Sequence, residues 1–191
     1  MQSFKNQIRN LLREKRWNIP NMKRYEMSRR ICLHLSGEIG SHETVLVYCA
    51  KEPEVETCWF IDHLLENNIN VVVPIIEKEN TGLRLSYLRT RDDLCQGTFH
   101  VPEPLENEIP ADPDTITTAI IPMLGYDNKG GRIGYGAGYY DRFLSANPHI
   151  RTIGLAYTEQ ELISIPVQDH DITMDLIVTE NCIIKCKGRD T

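Results

Sequence analysis

The segments Val45-Leu-Val-Tyr-Cys-Ala50 and Val71-Val-Val-Pro-Ile-Ile76 decide the predicted fold, because each is a short and continuous run of apolar residues. The stretch between them carries apolar residues at helical spacing, namely Val55, Trp59, Phe60, Leu64 and Leu65. Two apolar strands joined through one helix predict a βαβ unit, in which parallel strands are buried on both faces of the sheet.

Further elements surround this unit on both sides. Four more runs are typical of strands and one is typical of a helix: strands at 83–88, 115–122, 151–156 and 176–179, and a helix at 139–147. Helical spacing upstream predicts two N-terminal helices, one with Phe4, Ile8, Leu11 and Leu12, and one after Pro20 with Met27, Ile31 and Leu35. The pattern predicts an α/β fold, a three-layer sandwich with a mainly parallel central sheet and two N-terminal helices.

Length and composition predict one domain that spans residues 1–191. The hydrophobic fraction of 41% and the charged fraction of 25% are ordinary for a soluble globular protein. No apolar run approaches the roughly 20 residues of a membrane span, and the N-terminus lacks a signal-peptide core. We therefore expect a cytoplasmic protein, monomeric and without a membrane partner.

Charge and cysteine content limit the partners further. The formal net charge of -6 argues against a nucleic-acid partner, whereas the basic segment 5–30 could receive a small polyanion. The six cysteines are scattered along the chain, at positions 32, 49, 58, 95, 182 and 186. This spacing favours reduced thiols over a disulfide framework and lacks the second close pair of a zinc site. Cys182 and Cys186 are expected in the core or an edge strand.

The most informative motif is the glycine loop, Arg132-Ile-Gly-Tyr-Gly-Ala-Gly-Tyr-Tyr-Asp141. Its three glycines permit positive φ values and a close approach of the backbone to a ligand, so that consecutive amides could face an anion. A helix that begins near Tyr139 would direct its dipole at the same place, and Lys129 and Arg132 add positive charge. The spacing matches neither a Walker loop nor a dinucleotide fingerprint, so a glycine-rich surface turn is the competing interpretation.

Several charged residues have two interpretations each. Asp141 either offsets the helix dipole or holds a divalent cation, with Asp171 or Asp175 as a second source of a carboxylate. Lys5 and Arg9 are four residues apart, so they either grip a polyphosphate from one helix face or form a solvated face. Glu54, after the first strand, either faces a ligand at the carboxyl edge of the sheet or caps a helix.

Taken in order, these segments resemble the 5-formyltetrahydrofolate cyclo-ligase family over nearly the whole chain. The matching motifs are Lys5-Asn-Gln-Ile-Arg9, Glu54-Val-Glu-Thr57, Gly97-Thr-Phe-His-Val-Pro-Glu-Pro104, Pro122-Met-Leu-Gly-Tyr-Asp127, the glycine loop with Arg142, Gly154-Leu-Ala-Tyr157, Gln160 and His170-Asp171. The glycine loop is the specific element among them. Ala137 and His100 stand where relatives have glycine, which affects the local backbone.

The resemblance implies an enzyme that uses ATP to cyclise 5-formyltetrahydrofolate to 5,10-methenyltetrahydrofolate, with release of ADP and phosphate. Phosphorylation of the formyl oxygen by the ATP γ-phosphate would turn a poor leaving group into phosphate, so that the neighbouring folate nitrogen can close the ring. Such phosphoryl transfer depends mainly on positioning and on neutralisation of charge. The implied partners are ATP and a reduced folate, and the implied cofactor is Mg²⁺.

The resemblance also implies roles for individual residues. It assigns ATP to Lys5, Arg9, Arg132, Ile133, Gly134, Tyr135, Gly136, Ala137, Gly138, Tyr139 and Tyr140, and folate to Cys49, Glu54 and the segment Tyr135, Gly136, Ala137, Gly138 and Tyr139. Arg132 and Tyr135 would be catalytic, and Asp141 and Asp175 would hold magnesium. Glu54 suits a pterin, because a carboxylate can accept two parallel hydrogen bonds from an aminopyrimidine edge.

Two other functions stay open at this point. A non-catalytic module could bind a nucleotide or folate through the same loop without turnover. A sugar-phosphate isomerase or acyl-transfer relative would share the α/β architecture, but it would need an acidic base beside a phosphate loop, for which the sequence has no clear motif.

Overall fold

The computed structural model describes residues 2–79, 81–166, 168 and 171–186. It confirms the α/β fold, with a large and mostly parallel sheet flanked by helices. The α-helices of these described residues are α1 (Gln2–Trp17), α2 (Asn21–Ser36), α3 (Cys58–Glu66) and α4 (Tyr139–Ala146). Pro20 precedes α2 with extended backbone angles and accepts the amide of Arg24, which fits the preference of proline for a helix start.

Eight of the strands form the central sheet. In chain order the strands are β1 (Thr44–Val47), β2 (Asn70–Glu77), β3 (Gly82–Leu88), β4 (Cys95–Gln96), β5 (Pro102–Glu103), β6 (Ile109–Pro110), β7 (Thr118–Pro122), β8 (Gly125–Tyr126), β9 (Arg132–Ile133), β10 (Arg151–Leu155), β11 (Leu176–Val178) and β12 (Ile183–Lys185). The spatial order in the sheet is β12-β11-β10-β7-β1-β2-β3-β6. The five inner strands from β11 to β2 run parallel, and antiparallel strands close both edges.

The predicted βαβ unit is confirmed, since β1 and β2 pair in parallel with Val45 opposite Val71. The strand ends at Val47, three residues before the predicted end at Ala50. The chain turns there because the Thr57 side chain replaces a strand neighbour: its hydroxyl donates to the Tyr48 carbonyl at 2.8 Å and accepts from the Ala50 amide. The prediction for 115–122 also begins too early, because Pro113–Thr115 form a short 3-10 turn before β7.

Successive side chains of the sheet strands point to opposite faces and belong to two separate hydrophobic cores. Val45 and Val47 of β1 point to the face covered by α2 and α3, where Ile31, Leu35 and Phe60 are fully buried. Leu46, between them, points to the opposite face, where α4 packs through Leu144. This two-faced burial makes the strands continuously apolar, as parallel strands between helical layers are. The three-layer arrangement predicted from the sequence is therefore present.

A third, smaller cluster holds α1 against the loops at the carboxyl end of the sheet. Leu12 of α1 is fully buried among Leu124, Ile133 and Ile165. The helix α1 therefore packs against the segments that precede and follow the hairpin of β8 and β9. This contact places the polar side chains of α1 next to the glycine loop.

The proline-rich connection between β3 and β7 is ordered, as predicted, and is fastened by Glu103. This carboxylate is 1% exposed and accepts the amides of Ile76 at 2.9 Å and Thr98 at 3.1 Å. A Cβ atom at Gly97 would lie 2.2 Å from Glu103 Oε2 and 2.9 Å from its Cβ. Gly97 is therefore required by the packing of a buried carboxylate.

Gly97→Ala should destabilise the protein by about 1–3 kcal/mol, because Glu103 must move and release its amide partners. Urea unfolding followed by circular dichroism measures this change. Gly37→Ala is the matched control, since its nearest contact would be an ordinary 3.5 Å from the His34 carbonyl. Equal stability of the two variants would mean that Glu103 does not fasten this connection.

The remaining expectations meet the structure only in part. No helix among the described residues has the length and apolarity needed to cross a membrane. All six cysteines are free, and Cys182 and Cys186 flank the edge strand β12, where Cys182 is exposed. The side chain of Phe4 and residues 187–191 lie outside what the structure describes. Cytoplasmic location, the monomeric state and the single domain stay predictions.

Candidate functional site

The predicted site residues other than Asp175 gather at the carboxyl ends of the parallel strands. Cys49 and Glu54 follow β1, and the chain after β7 forms the hairpin of β8 and β9 that leads into the glycine loop. The loop ends at α4, whose first residue is Tyr139. Crevices at this edge are the usual ligand sites of open α/β sheets.

Glu54 is the buried anchor of the site. It is 8% exposed, and its Oε2 atom accepts the Lys51 amide at 2.9 Å. Its Oε1 atom accepts the hydroxyl of Tyr135 from the glycine loop. The Glu54 carbonyl accepts the hydroxyl of Tyr157, which holds the backbone of the same residue at 3.0 Å. Both the carboxylate and its backbone are therefore fixed, and the capping interpretation of Glu54 is wrong.

Tyr135 connects Glu54 to the first helix. Its hydroxyl oxygen accepts a hydrogen bond from Arg16 Nη2 at 2.8 Å while the hydroxyl proton is donated to Glu54. Burial, together with the nearby Glu54 carboxylate, raises the pKa of Tyr135 above its ordinary value. The phenol therefore stays protonated at neutral pH and acts as a hydrogen-bond donor. Arg16 was missed in the sequence, although it lies seven residues after Arg9, a spacing that returns to the same helix face.

The backbone of the glycine loop has two left-handed glycines and a run of amides without hydrogen-bond partners among the described residues. Gly136 has a φ of 107° and Gly138 a φ of 70°, and Gly138 is the residue before α4. The backbone N–H groups of residues 135–141 donate no hydrogen bond to any other residue in the described part of the chain. Unpaired amides at the start of a helix are the arrangement that binds phosphate groups.

Lys5 and Arg9 of α1 both reach this loop region. Arg9 Nε donates to the Gly134 carbonyl at 3.0 Å, and a Cβ atom at Gly136 would lie 3.3 Å from Arg9 Cζ. Lys5 is 8% exposed, and its Nζ atom forms an ion pair with Asp171 at 2.6 Å. The solvated-face interpretation is therefore wrong for Lys5, whereas Arg9 is half-buried and contacts the loop.

Asp141 is paired with Arg132 across the glycine loop. Arg132 Nη2 lies 2.5 Å from Asp141 Oδ1, and the same oxygen accepts the Ile172 amide at 3.2 Å. The Arg132 side chain is 5% exposed and that of Asp141 is 23% exposed. The ion pair ties α4 to Arg132, and the Ile172 amide ties it to the segment 171–175. It leaves Asp141 Oδ2 without a hydrogen bond to any residue that the structure describes.

Asp175, the second predicted metal ligand, is not brought to the loop. Its Oδ2 atom accepts the Thr152 amide at 2.7 Å and the Thr152 hydroxyl at 2.8 Å, next to the first residue of β10. That position is the amino end of the parallel strands, away from Glu54. Asp171 is nearer to Asp141, because the next residue, Ile172, donates to it. Within 2–79, 81–166, 168 and 171–186, no cluster of three or more His, Cys, Asp and Glu side chains could hold a metal ion.

The other predicted ligand contacts lie around these residues. Cys49 is buried, and burial raises the pKa of its thiol to about 12, so it offers packing and not a nucleophile. Ile133 is buried in the α1 cluster, so only its backbone can face the site. Tyr139 lies under the guanidinium of Arg142, and Tyr140 packs on the α4 core. His170 lies outside the described residues.

Two adjoining depressions surround Tyr135 and Lys51. A cleft of about 430 Å³ lies between the end of α1 and the turn after β1, lined by Arg13, Arg16, Trp17, Lys51, Glu52 and Tyr135 among others. A second groove of about 660 Å³ continues past Lys51 towards Lys78 and Phe99. The backbone of Phe99 and His100 is left-handed, with φ values of 56° and 60°. Tyr135 and Lys51 therefore border open space on the surface of the protein.

Comparison with known proteins gives a consistent result. The family model described as the 5-formyltetrahydrofolate cyclo-ligase family matches residues 1–180. A 5-formyltetrahydrofolate cyclo-ligase from Mycolicibacterium smegmatis is 31% identical over 182 residues, covering 92% of this chain and 93% of that protein. One from Haemophilus influenzae is 28% identical, covering 90% and 96%. The NMR structure of Aquifex aeolicus 5,10-methenyltetrahydrofolate synthetase is similar with a TM-score of 0.83 at 26% identity, covering 98% of this chain and 95% of that one.

Proposed function

The chain belongs to the 5-formyltetrahydrofolate cyclo-ligase family and is an enzyme, and from that premise we propose that it cyclises 5-formyltetrahydrofolate to 5,10-methenyltetrahydrofolate with consumption of ATP. One observation carries the proposal: Tyr135 belongs to the loop of unpaired amides and also contacts the buried carboxylate of Glu54. The proposed phosphate site and the proposed pterin-binding carboxylate are thus linked through a single residue, Tyr135. This juxtaposition suits a reaction between a nucleotide and a folate.

The glycine loop would hold the triphosphate. Its unpaired amides and the start of α4 supply partial positive charge, while Lys5 and Arg9 supply full charge from α1. Arg132 is held by Asp141 and Ile172, so its orientation is set before the ligand arrives. Such fixed charges contribute most to phosphoryl transfer, because its transition state is stabilised by positioning and by neutralisation of charge. No covalent bond to the protein is needed.

Glu54 would hold the folate. Each oxygen of its carboxylate accepts one hydrogen bond within the protein, and an ionised carboxylate has about four acceptor positions in all. The remaining positions can take the parallel N–H donors of an aminopyrimidine edge. Tyr135 then lies between the pterin and the phosphates, and its protonated hydroxyl holds the Glu54 carboxylate in place.

The proposed chemistry balances in two steps. The formyl oxygen attacks the γ-phosphorus of ATP, and the bond to the β,γ-bridging oxygen breaks to release ADP. The N10 nitrogen then attacks the activated formyl carbon, and the carbon–oxygen bond breaks so that inorganic phosphate leaves and the N10 proton is lost. The protein positions the two reactants and stabilises charge, and neither step requires a nucleophilic side chain.

Magnesium fits this site through Asp141 in preference to Asp175. Asp141 keeps one carboxylate oxygen without a protein partner in the described residues, at the start of the helix that faces the phosphates. Magnesium commonly takes only one or two carboxylates from a protein and the rest of its ligands from phosphate and water. When bound, the ion would neutralise charge on the phosphates. Asp171, beside Ile172, is the better placed second carboxylate.

Asp141→Asn should raise the Mg²⁺ concentration needed for half-maximal turnover by about 10-fold, since one charged oxygen ligand is lost. A titration of turnover with Mg²⁺ at fixed ATP measures the change. Asp175→Asn is the matched control: we expect it to lower the unfolding midpoint, through Thr152, and to leave the Mg²⁺ requirement unchanged. A shifted requirement in D175N with none in D141N would restore Asp175 as the ligand.

The proposal is tested by turnover with purified protein. ATP, Mg²⁺ and fresh 5-formyltetrahydrofolate should produce the near-ultraviolet absorbance of the methenyl product, with one ADP formed per product. The absence of product alongside calorimetric binding of ATP would instead identify a non-catalytic binding module. Product formation that does not depend on ATP would contradict the proposed reaction.

A further inference from the structure

Arg16 is a buried cation that has no role in the reaction proposed above. It lies near the end of α1 with 3% exposure, and its guanidinium is 5.7 Å from the centre of the Tyr135 ring. Its Nη1 atom donates to the Met123 carbonyl at 3.2 Å, just after β7. Gln160 also donates to that carbonyl, at 3.0 Å. Arg16 is therefore held against the sheet and has little freedom to turn away from Tyr135.

The contact with Arg16 decides the direction of the hydrogen bonds at Tyr135. A guanidinium can only donate, so the Tyr135 oxygen must accept from Arg16 Nη2. The hydroxyl proton is then left for Glu54, whose carboxylate can only accept when ionised. The three side chains thus form a chain with one direction, from Arg16 through Tyr135 to Glu54. Charge-assisted hydrogen bonds of this kind are stronger than neutral ones and reinforce one another.

A second observation shows that the guanidinium borders the ligand space. Arg16 Nε is buried and has no hydrogen-bond partner among the described residues. Arg16 also lines the cleft of about 430 Å³ together with Lys51 and Tyr135. Arg16 therefore contributes to the wall of the cleft on the side of Tyr135.

We propose that Arg16 is a positioning residue for folate binding, which acts through the Tyr135 hydroxyl to hold the Glu54 carboxylate in its ligand-binding orientation. The inference rests on the proposed function, because it takes Glu54 as the folate contact. It predicts that the effect of Arg16 on folate passes through Tyr135. It also predicts that ATP, bound by the other end of α1 and the loop amides, is affected little.

The test uses calorimetric binding of 5-formyltetrahydrofolate and, separately, of ATP to the full chain. Arg16→Met, which removes every donor, should weaken folate binding by roughly 10- to 100-fold, because a charged hydrogen bond is lost. Arg16→Lys should recover part of the affinity. Lys15→Met is the matched control: it removes an exposed cation of the same helix that does not line the cleft, so folate affinity should change less than about twofold.

A double-mutant cycle with Tyr135→Phe separates positioning from a general structural role. If Arg16 acts through the hydroxyl, R16M combined with Y135F binds folate no more weakly than Y135F alone. Additive losses would overturn the proposal, and so would equal losses of ATP and folate affinity, or an effect of K15M as large as that of R16M. If R16M does not fold, the same cycle with R16K decides, with the same two outcomes.

Failure of the proposed function gives a different pattern. Wild-type protein that neither binds nor turns over the folate would remove the function itself. Wild-type protein that turns over normally, with R16M and R16K indistinguishable from it, would remove only the role of Arg16.

Discussion

Gly136→Val should lower kcat/KM for ATP-dependent turnover by roughly 100-fold or more, since left-handed strain and lost backbone approach together reach about 3 kcal/mol. Gly136 has a φ of 107°, a region that a β-branched residue avoids. Its Cβ would also lie 3.3 Å from Arg9 Cζ and displace a cation that faces the loop. The amides that follow would then lose the geometry that receives phosphate. Steady-state kinetics with varied ATP measure the loss.

Gly134→Val provides the comparison for this variant. Gly134 has no left-handed φ, and its Cβ would meet only Arg132 Nη1, at an ordinary 3.4 Å. We expect a clearly smaller loss than for Gly136, with circular dichroism confirming that both variants fold. A folded G136V protein with unchanged kinetics would show that the loop does not approach the phosphates through its backbone.

Glu54→Gln should raise the KM for 5-formyltetrahydrofolate by about 30- to 100-fold and leave the KM for ATP nearly unchanged, because charged hydrogen bonds are worth about 1.5–3 kcal/mol each. The neutral amide keeps the volume of the side chain but presents one acceptor oxygen where the carboxylate has two. Either the Tyr135 hydroxyl or the Lys51 amide then loses its acceptor, and the folate loses an acceptor as well. Initial rates with each substrate varied in turn measure the two constants.

Glu56→Gln is the matched control for this variant. Glu56 follows two residues later at the same sheet edge, but its side chain is exposed and makes no contact with Tyr135. We expect its kinetics to equal those of the wild type. A rise in both KM values for E54Q, or an equal effect of E56Q, would argue that Glu54 supports the fold and not the folate.

The fold was largely predictable because its inner strands are apolar on both faces. The runs at β1 and β2 and the helical spacing between them leave few alternatives to a βαβ unit. The strand β6 was not predicted, since two residues at a sheet edge carry no measurable alternation. Element ends shifted where side chains of distant residues replaced backbone partners, as Thr57 does at the end of β1.

The site was predictable where one residue type has few structural uses. Three closely spaced glycines before a helix, and an acid after the first strand, indicated the loop and Glu54. The roles of Asp171 and Asp175 could not be distinguished from the sequence. Only the fold shows that Asp171 pairs with Lys5 and that Asp175 accepts from Thr152. Arg16 could not be distinguished from the other basic residues of α1 in the sequence, because its contact with Tyr135 depends on how the helix is rotated about its axis.

We propose that ATP phosphates and the formyl oxygen of the folate meet at the glycine loop beside Glu54. The most direct measurement uses 5-formyltetrahydrofolate labelled with ¹⁸O in the formyl group, with mass spectrometry of the inorganic phosphate after a single turnover with ATP. Attack of the formyl oxygen on the γ-phosphorus predicts one ¹⁸O atom in each phosphate released. Unlabelled phosphate, formed together with ADP and the methenyl product, would contradict it.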